Sequence, residues 1–286
     1  MKRKKIYIVM GPTASGKSRF SLDLAHVLGG EIINADSMQV YEDVPILTAR
    51  PDPLEMEGVP HHLYGYLDAY AHSSFVEWGA KVKPLLESID VPIVVGGTGL
   101  YLKSLISGFA AVPDIPPEIR AQARQMPIEE LRAALPDFPF QDPQRLMRAW
   151  EVLKATGKPI TYWQQQPHTY LYDGDFTTIL IQPPREQLYL QCNYRFQRMM
   201  ELGAFKQVLD LLKKNPTMSG GVFKAIGVQE MISCSRGEIS LNKAVYQAIK
   251  KTRAYAKRQE TWFRHQIQSD VTLEKGDISL YMPNID

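Results

Sequence analysis

The sequence predicts an α/β protein: a P-loop parallel-sheet core with a helical insertion domain and a helical C-terminal tract. Three observations carry that expectation. The apolar run KIYIVM (5–10) stops at a glycine-rich loop and is followed by a helix-forming segment. Further short apolar runs then alternate with helical segments, as in parallel strands covered on both faces. The alternation lapses at a proline-rich stretch and returns near residue 176.

Each element has a local reason. KIYIVM reads as a buried strand because its side chains are apolar on both faces. SRFSLDLAHVL (18–28) spaces its apolar residues helically and ends on Gly29-Gly30, a helix stop. GEIINAD (30–36) reads as a second strand, and VPIVVGGTGLYLKSLI (91–106) as a third strand leading into a helix. Prolines in FAAVPDIPPEIR (109–120) interrupt any regular element. The block that follows is polar and helical in rhythm. Within it PQRLMRAWEVLKATG (143–157) opens on Pro and closes on Gly, as a capped helix does. FTTILIQPP (176–184) restores the strand pattern and is expected to be the last strand, with helices from Arg185 onward. The expected organisation is a core of residues 1–113 and 176–286, interrupted by a helical insertion at 114–175.

Bulk composition excludes little. The chain is 44% apolar and 22% charged, with a net charge of +2, so any polyanion must be met by local charge. Cys192 and Cys234 support neither a disulfide framework nor a cysteine zinc site. The basic head MKRKK precedes an apolar run too short for a signal peptide. No stretch has the length of a membrane span. A cytoplasmic monomer is expected.

The most informative stretch is GPTASGKS, residues 11–18. Gly11, Gly16, Lys17 and Ser18 satisfy the phosphate-loop pattern, between a strand and a helix as the pattern requires. Pro12, Thr13, Ala14 and Ser15 complete the turn. Such a loop turns backbone N–H groups and a helix N-terminus toward an anion. Lys17 adds a point charge, and the Ser18 hydroxyl is placed to ligate a phosphate-bound Mg²⁺. A nucleotide hydrolase also needs an acidic residue on a nearby strand end to hold that metal. The strand in VPIVVGGTG (91–99) ends in Gly96-Gly97-Thr98 with no acid. Asp36 ends the other strand, but Ser37, Met38 and Gln39 beside it do not look like an ATPase metal site.

GPTASGKS, INADSMQVY, GVPHHL, VVGGTGLYLKSLISG, DPQRLMRAWEV…TGKP and TRAYAKRQETWFR follow one another from about Ile6 to Arg264. In that order they resemble the bacterial tRNA dimethylallyltransferases, also called tRNA isopentenyltransferases. The resemblance covers nearly the whole chain, and only the phosphate loop is shared with unrelated families. It implies transfer of a dimethylallyl group from dimethylallyl diphosphate to N6 of adenine-37 in tRNA, with Mg²⁺ assisting and diphosphate leaving. The loop would then cradle the donor's diphosphate.

The resemblance also assigns residues. Asp36, just past a strand's C-terminal end, matches the acid that contacts the target base. Its chemistry suits the role, because N6 is a weak nucleophile that a carboxylate activates by taking its proton. Thr98 matches a threonine at the reacting centre, and Lys17 stabilises charge growing on the diphosphate. Asp36, Ser37, Met38 and Gln39 match positions at the anticodon loop. So do Arg120 and the run Gln144, Arg145, Leu146, Met147, Arg148. A base in a stacked loop must be everted to be alkylated. The segment 243–265 sets seven Lys and Arg against one acid, Glu260, and reads as a stripe for RNA phosphates. Its aromatics, Tyr246, Tyr255, Trp262 and Phe263, are expected to pack in the core.

His61-His62 lacks companion ligands and reads as a structural pair rather than a metal site. Three departures from the family pattern stand out. The insertion is short, Gln229 replaces a basic residue, and Gln191 stands where arginine is common. Lys224 is the candidate to compensate for Gln229. The alternatives are an isopentenyltransferase acting on AMP, a phosphate-loop nucleotide kinase, and a non-catalytic RNA-binding protein.

Overall fold

The computed structural model describes residues 3–218 and 220–282. Met1 and Lys2 of the basic head, and the last four residues of the expected core, lie outside the described residues. The chain forms two compact units, Met1–Ile106 with Leu171–Asp286, and Ser107–Tyr170.

The first unit is built on a six-stranded parallel sheet. Its strands are β1 (Lys5–Met10), β2 (Glu31–Asn34), β3 (His61–His62), β4 (Pro92–Gly96), β7 (Asp175–Ile181) and β8 (Val271–Leu273), in the order β3-β2-β4-β1-β7-β8. β1 is central because residues 6–10 are apolar and buried on both faces. Ile6, Ile8 and Met10 enter one core layer, with Val94 and Leu180. Tyr7 and Val9 enter the opposite layer, with Ile93, Val95, Ile179 and Ile181. Each fully buried aliphatic side chain contributes about 1.5–3 kcal/mol, so the sheet centre is strongly held.

Helices cover both faces. α1 (Lys17–Leu28) packs Phe20 and Leu24 on one layer. On the other layer α3 (Phe75–Ser88) and α4 (Gly99–Ile106) contribute Trp78, Val82 and Leu102. A separate apolar cluster joins α2 (Pro45–Thr48), α9 (Arg185–Glu201), α10 (Ala204–Lys214), α11 (Val228–Ser235) and α12 (Leu241–Gln266). The strand expected to be last, β7, is followed by β8, which pairs with it at the sheet edge through Val271, Thr272 and Leu273. Three residues are too short a run to stand out after a 26-residue helix. β3 is missed for the same reason.

The second unit contains α5 (Pro117–Gln125), α6 (Ile128–Ala133), α7 (Pro143–Thr156) and α8 (Ile160–Gln164). A two-stranded pair, β5 (Phe109–Ala110) with β6 (His168–Thr169), closes its base. That pairing draws residues 107–113 into this unit, and the chain leaves it at Tyr170, so both boundaries precede those expected at 114 and 175. Ile115, Ala123, Leu131, Leu146, Ala149 and Val152 are its buried apolar residues.

Candidate active site

The site forms at the C-terminal ends of β1, β2 and β4, where parallel α/β sheets present their ligands. After β1 the chain turns through Gly11–Ser18. Ala14 has φ 65° and Gly16 φ 90°, a departure to the left-handed region that gathers successive N–H groups on one side. Gly11 leaves no room for a side chain: a Cβ there would lie 2.4 Å from the Ile181 carbonyl oxygen. α1 starts at Gly16 without a side-chain cap, so its N-terminal amides remain available to an anion. The buried Ser15 hydroxyl has no hydrogen-bond partner among the described residues. An orphaned donor beside such a turn suits a phosphate oxygen.

Lys17 donates to the Pro12 carbonyl at 3.3 Å. Burial lowers its pKa from 10.5 to about 8, with Asp36 and Cys192 opposing and Arg195 adding to the fall. Arg195, on α9, donates to the Thr13 hydroxyl. Burial disfavours its charge too, while Cys192 and Asp36 favour it. Two crowded cations in a low-dielectric corner attract a dianion strongly.

The turn after β2 holds Asp36. Asn34, fully buried, donates from Nδ2 to the carbonyls of Asp36 (3.1 Å) and Leu63 (3.0 Å), while its Oδ1 accepts the Asp36 N–H at 2.9 Å. The Asn34 carbonyl accepts from the Trp78 indole at 2.7 Å. Asp36 Oδ1 accepts the Met38 N–H at 2.9 Å, and its Oδ2 has no hydrogen-bond partner among the described residues. Thr98, after β4, spends its hydroxyl on the same turn. It accepts the Ser37 N–H at 2.9 Å and donates to Ser37 Oγ at 3.2 Å. In this structure Thr98 orients the segment carrying Asp36.

Two neighbouring cavities share Thr13, Asp36, Thr48 and Arg195. One, of about 720 Å³, contains the phosphate loop from Thr13 to Ser18 together with Gln39, Gln191 and Tyr194. The other, of about 330 Å³, has apolar walls of Met38, Leu47, Phe196 and Met199, with Lys224, Tyr255 and Arg258. Asp36 thus lines the same cavity as the cradle, and both cavities are lined by the first unit alone. Gln39 donates to the carbonyls of Thr48 (3.0 Å) and Ala49 (2.8 Å), so its amide nitrogen is already engaged.

The other predicted site residues lie in the second unit. Arg120 is exposed on α5, and Gln144 is exposed at the start of α7. Arg145 covers the Phe140 ring at 4.5 Å, and Arg148 pairs with Glu151 at 3.3 Å. Met147 is partly exposed. Leu146 is a correction. The sequence places it among the tRNA-facing residues, yet it is 1% exposed, on the face of α7 that also buries Ala149 and Val152.

Several cations of the basic stripe on α12 already have partners. Lys251 pairs with Glu230, Arg264 with Glu260, and Arg253 donates to Asn193 at 2.7 Å. Phe263 is buried and Trp262 packs against Gly99, but Tyr246 is exposed and Tyr255 lines a cavity, so the expected core packing fails for those two. His61 contacts the Val59 carbonyl at 2.8 Å and His62 pairs with Glu31 at 2.6 Å. Gln229 donates to the Phe223 carbonyl at 3.3 Å, whereas Lys224 reaches the smaller cavity.

Sequence reasoning missed Arg195 and Gln259. Both sit on the buried stripes of their helices, Arg195 with Cys192 and Met199, Gln259 with Ala256 and Phe263. A polar residue recurring at apolar spacing was the available signal.

Known proteins resemble the chain along its length. The family model described as IPP transferase matches residues 39–266, and that described as isopentenyl transferase matches residues 4–68. The chain is 41% identical to the tRNA dimethylallyltransferase of Rhodospirillum centenum, over 96% of this chain and 93% of that protein. It is 40% identical to that of Zymomonas mobilis, over 96% and 95%. Among solved structures, the tRNA isopentenylpyrophosphate transferase of Bacillus halodurans superposes with a TM-score of 0.72 at 30% identity, covering 99% of this chain and 94% of the other. A eukaryotic dimethylallyltransferase acting on tRNA gives 0.79 at 26% identity, covering 98% and 76%. Cradle, acidic turn and basic helix all fall within these matches, and the chain belongs to the IPP transferase family.

Proposed function

We propose that this protein transfers a dimethylallyl group from dimethylallyl diphosphate to N6 of adenine-37 in tRNA, releasing diphosphate. One observation carries the reading. A carboxylate with an uncommitted oxygen, Asp36, lines the same cavity as a phosphate cradle built from Lys17, Arg195 and the loop. The cradle takes the donor's diphosphate, and the apolar wall of Met38, Leu47 and Phe196 suits a five-carbon chain. N6 attacks C1 of the donor, the C1–O bond breaks, and its electron pair leaves with diphosphate. Asp36 accepts the N6 proton. Lys17, Arg195 and Lys224 oppose the charge growing on the leaving oxygens.

Mg²⁺ fits as an ion carried in on the diphosphate. Among the described residues no group of three His, Cys, Asp or Glu would hold a metal. The Ser18 hydroxyl opens the helix beside the cradle and offers a hard oxygen donor. When bound there, the ion neutralises leaving-group charge.

Arg120, Gln144, Arg145, Met147 and Arg148 of the second unit grip the anticodon stem-loop, with the unpaired cations of α12 contributing phosphate contacts. Met38 and Ser37, beside Asp36, meet the everted base. No helix among the described residues is long and apolar enough to cross a membrane, and a cytoplasmic monomer fits a tRNA substrate.

Incubation with labelled dimethylallyl diphosphate and tRNA, AMP or ATP tests the reading. Label is expected on tRNA alone. Transfer to AMP with none to tRNA would replace it, as would phosphoryl transfer from ATP.

A further inference from the structure

We propose that Gln259 is a positioning residue for transfer, its amide fixing the spacing between the donor's cradle and the turn that presents the acid. The inference rests on the transfer reading above. Gln259 is 6% exposed, on the apolar face of α12. A buried amide left unpaired is costly, and this one is paired at both ends. Its Oε1 accepts the Thr13 N–H at 2.8 Å, and its Nε2 donates to the Gly97 carbonyl at 2.8 Å.

Those two partners belong to different loops. Thr13 lies in the phosphate loop after β1, and its hydroxyl also accepts from Arg195. Gly97 lies after β4, one residue before Thr98, whose hydroxyl holds the segment of Ser37 and Asp36. One side chain therefore spans both halves of the site.

The Thr13 N–H belongs to a loop whose amides are expected to face phosphate, yet it is given to Gln259 instead. The fit is also close on the other side. A Cβ at Gly97 would lie 2.4 Å from Gln259 Nε2 and 3.2 Å from the Gly11 oxygen. Only a group that both donates and accepts satisfies the two loops. Ionised glutamate has no donor, and leucine has neither function.

Gln259→Leu removes both bonds at similar volume. Gln259→Glu keeps an acceptor for Thr13 and lacks the donor to Gly97 while ionised. Calorimetric titration with inorganic diphosphate counts competent sites and gives Kd. Transfer of labelled dimethylallyl to tRNA is then measured per competent site. For Gln259→Leu, kcat is expected to fall about 10²-fold, the consequence of reacting groups misplaced by about an ångström, while diphosphate Kd and donor KM stay within about threefold. The ratio of Gln259→Glu to wild-type transfer is expected to rise as pH falls, because the protonated carboxyl regains a donor.

An unchanged kcat per competent site overturns the proposal. So does a proportional loss of diphosphate binding and transfer, or a pH-independent ratio for Gln259→Glu. Wild-type protein that binds diphosphate and never alkylates tRNA would instead overturn the transfer reading itself.

Discussion

The strand-end wall of the cavity and its helical wall hold their functional groups by different means. On the strand side, Asp36, Thr98 and the phosphate loop lie in tight turns at the ends of β1, β2 and β4. There the backbone itself is shaped, by Gly11 against Ile181, by Asn34 under Asp36 and by Thr98 against Ser37. On the helical side, Arg195, Tyr255 and Arg258 project from the regular helices α9 and α12, and the buried Gln259 of α12 bonds Thr13 and Gly97. Turns demand particular residues in consecutive order, whereas a helix demands only a side chain on the correct face. The chemistry of the strand wall is therefore local in sequence, and that of the helical wall is dispersed.

The largest test of this contrast is Asp36→Ala. If the strand wall supplies the acid that takes the N6 proton, transfer falls by about 10²–10⁴. Affinity for tRNA, measured by filter binding, stays near wild type. Retained transfer would remove the acid from that wall. Arg195→Gln tests the opposite side. Loss of one partly buried cation facing the leaving group lowers transfer by about 10²–10³, and because Arg195 also meets the bound diphosphate, donor KM rises with it. If Arg195→Gln behaved as a neutral surface change, Arg195 would carry no part of the chemistry.

The same contrast explains what was legible before the structure. KIYIVM, GPTASGKS and the Asp36 turn were readable because strand, loop and acid follow one another in the chain. The strands β1, β2, β4 and β7 were visible as apolar runs. β3 and β8 were not, since two or three residues at a sheet edge carry no period. Arg195 and Gln259 were hidden among helical residues whose partners lie 182 and 246 positions away in the chain. The block Gln144–Arg148 shows the limit of reading consecutive residues as one surface. Its central Leu146 faces inward while Gln144 and Arg145 face out.

Leu146→Ala sharpens that point. Removing a fully buried side chain from a small core costs about 2–5 kcal/mol. The loss is expected as faster amide exchange within α7, with diphosphate affinity of the first unit unchanged. A Leu146→Ala protein of unaltered exchange that lost tRNA binding would return Leu146 to the RNA-facing set.

The smallest expected effect separates the two walls by pH. Lys17 is held at about 8 by burial, against 10.5 when solvated. Between these values the folded free protein binds fewer protons than the unfolded chain, so at this group stability rises with pH across that window. Donor binding runs the other way, because the diphosphate needs the ammonium. Above about pH 8, kcat/KM for the donor should fall by about tenfold per pH unit, 1.36 kcal/mol for each unit of titration. The bound diphosphate draws the proton back onto Lys17, so kcat stays flatter than kcat/KM. Lys17→Arg keeps its charge throughout and moves the fall to higher pH. If the fall stayed near pH 8 in Lys17→Arg, the titrating group would not be Lys17.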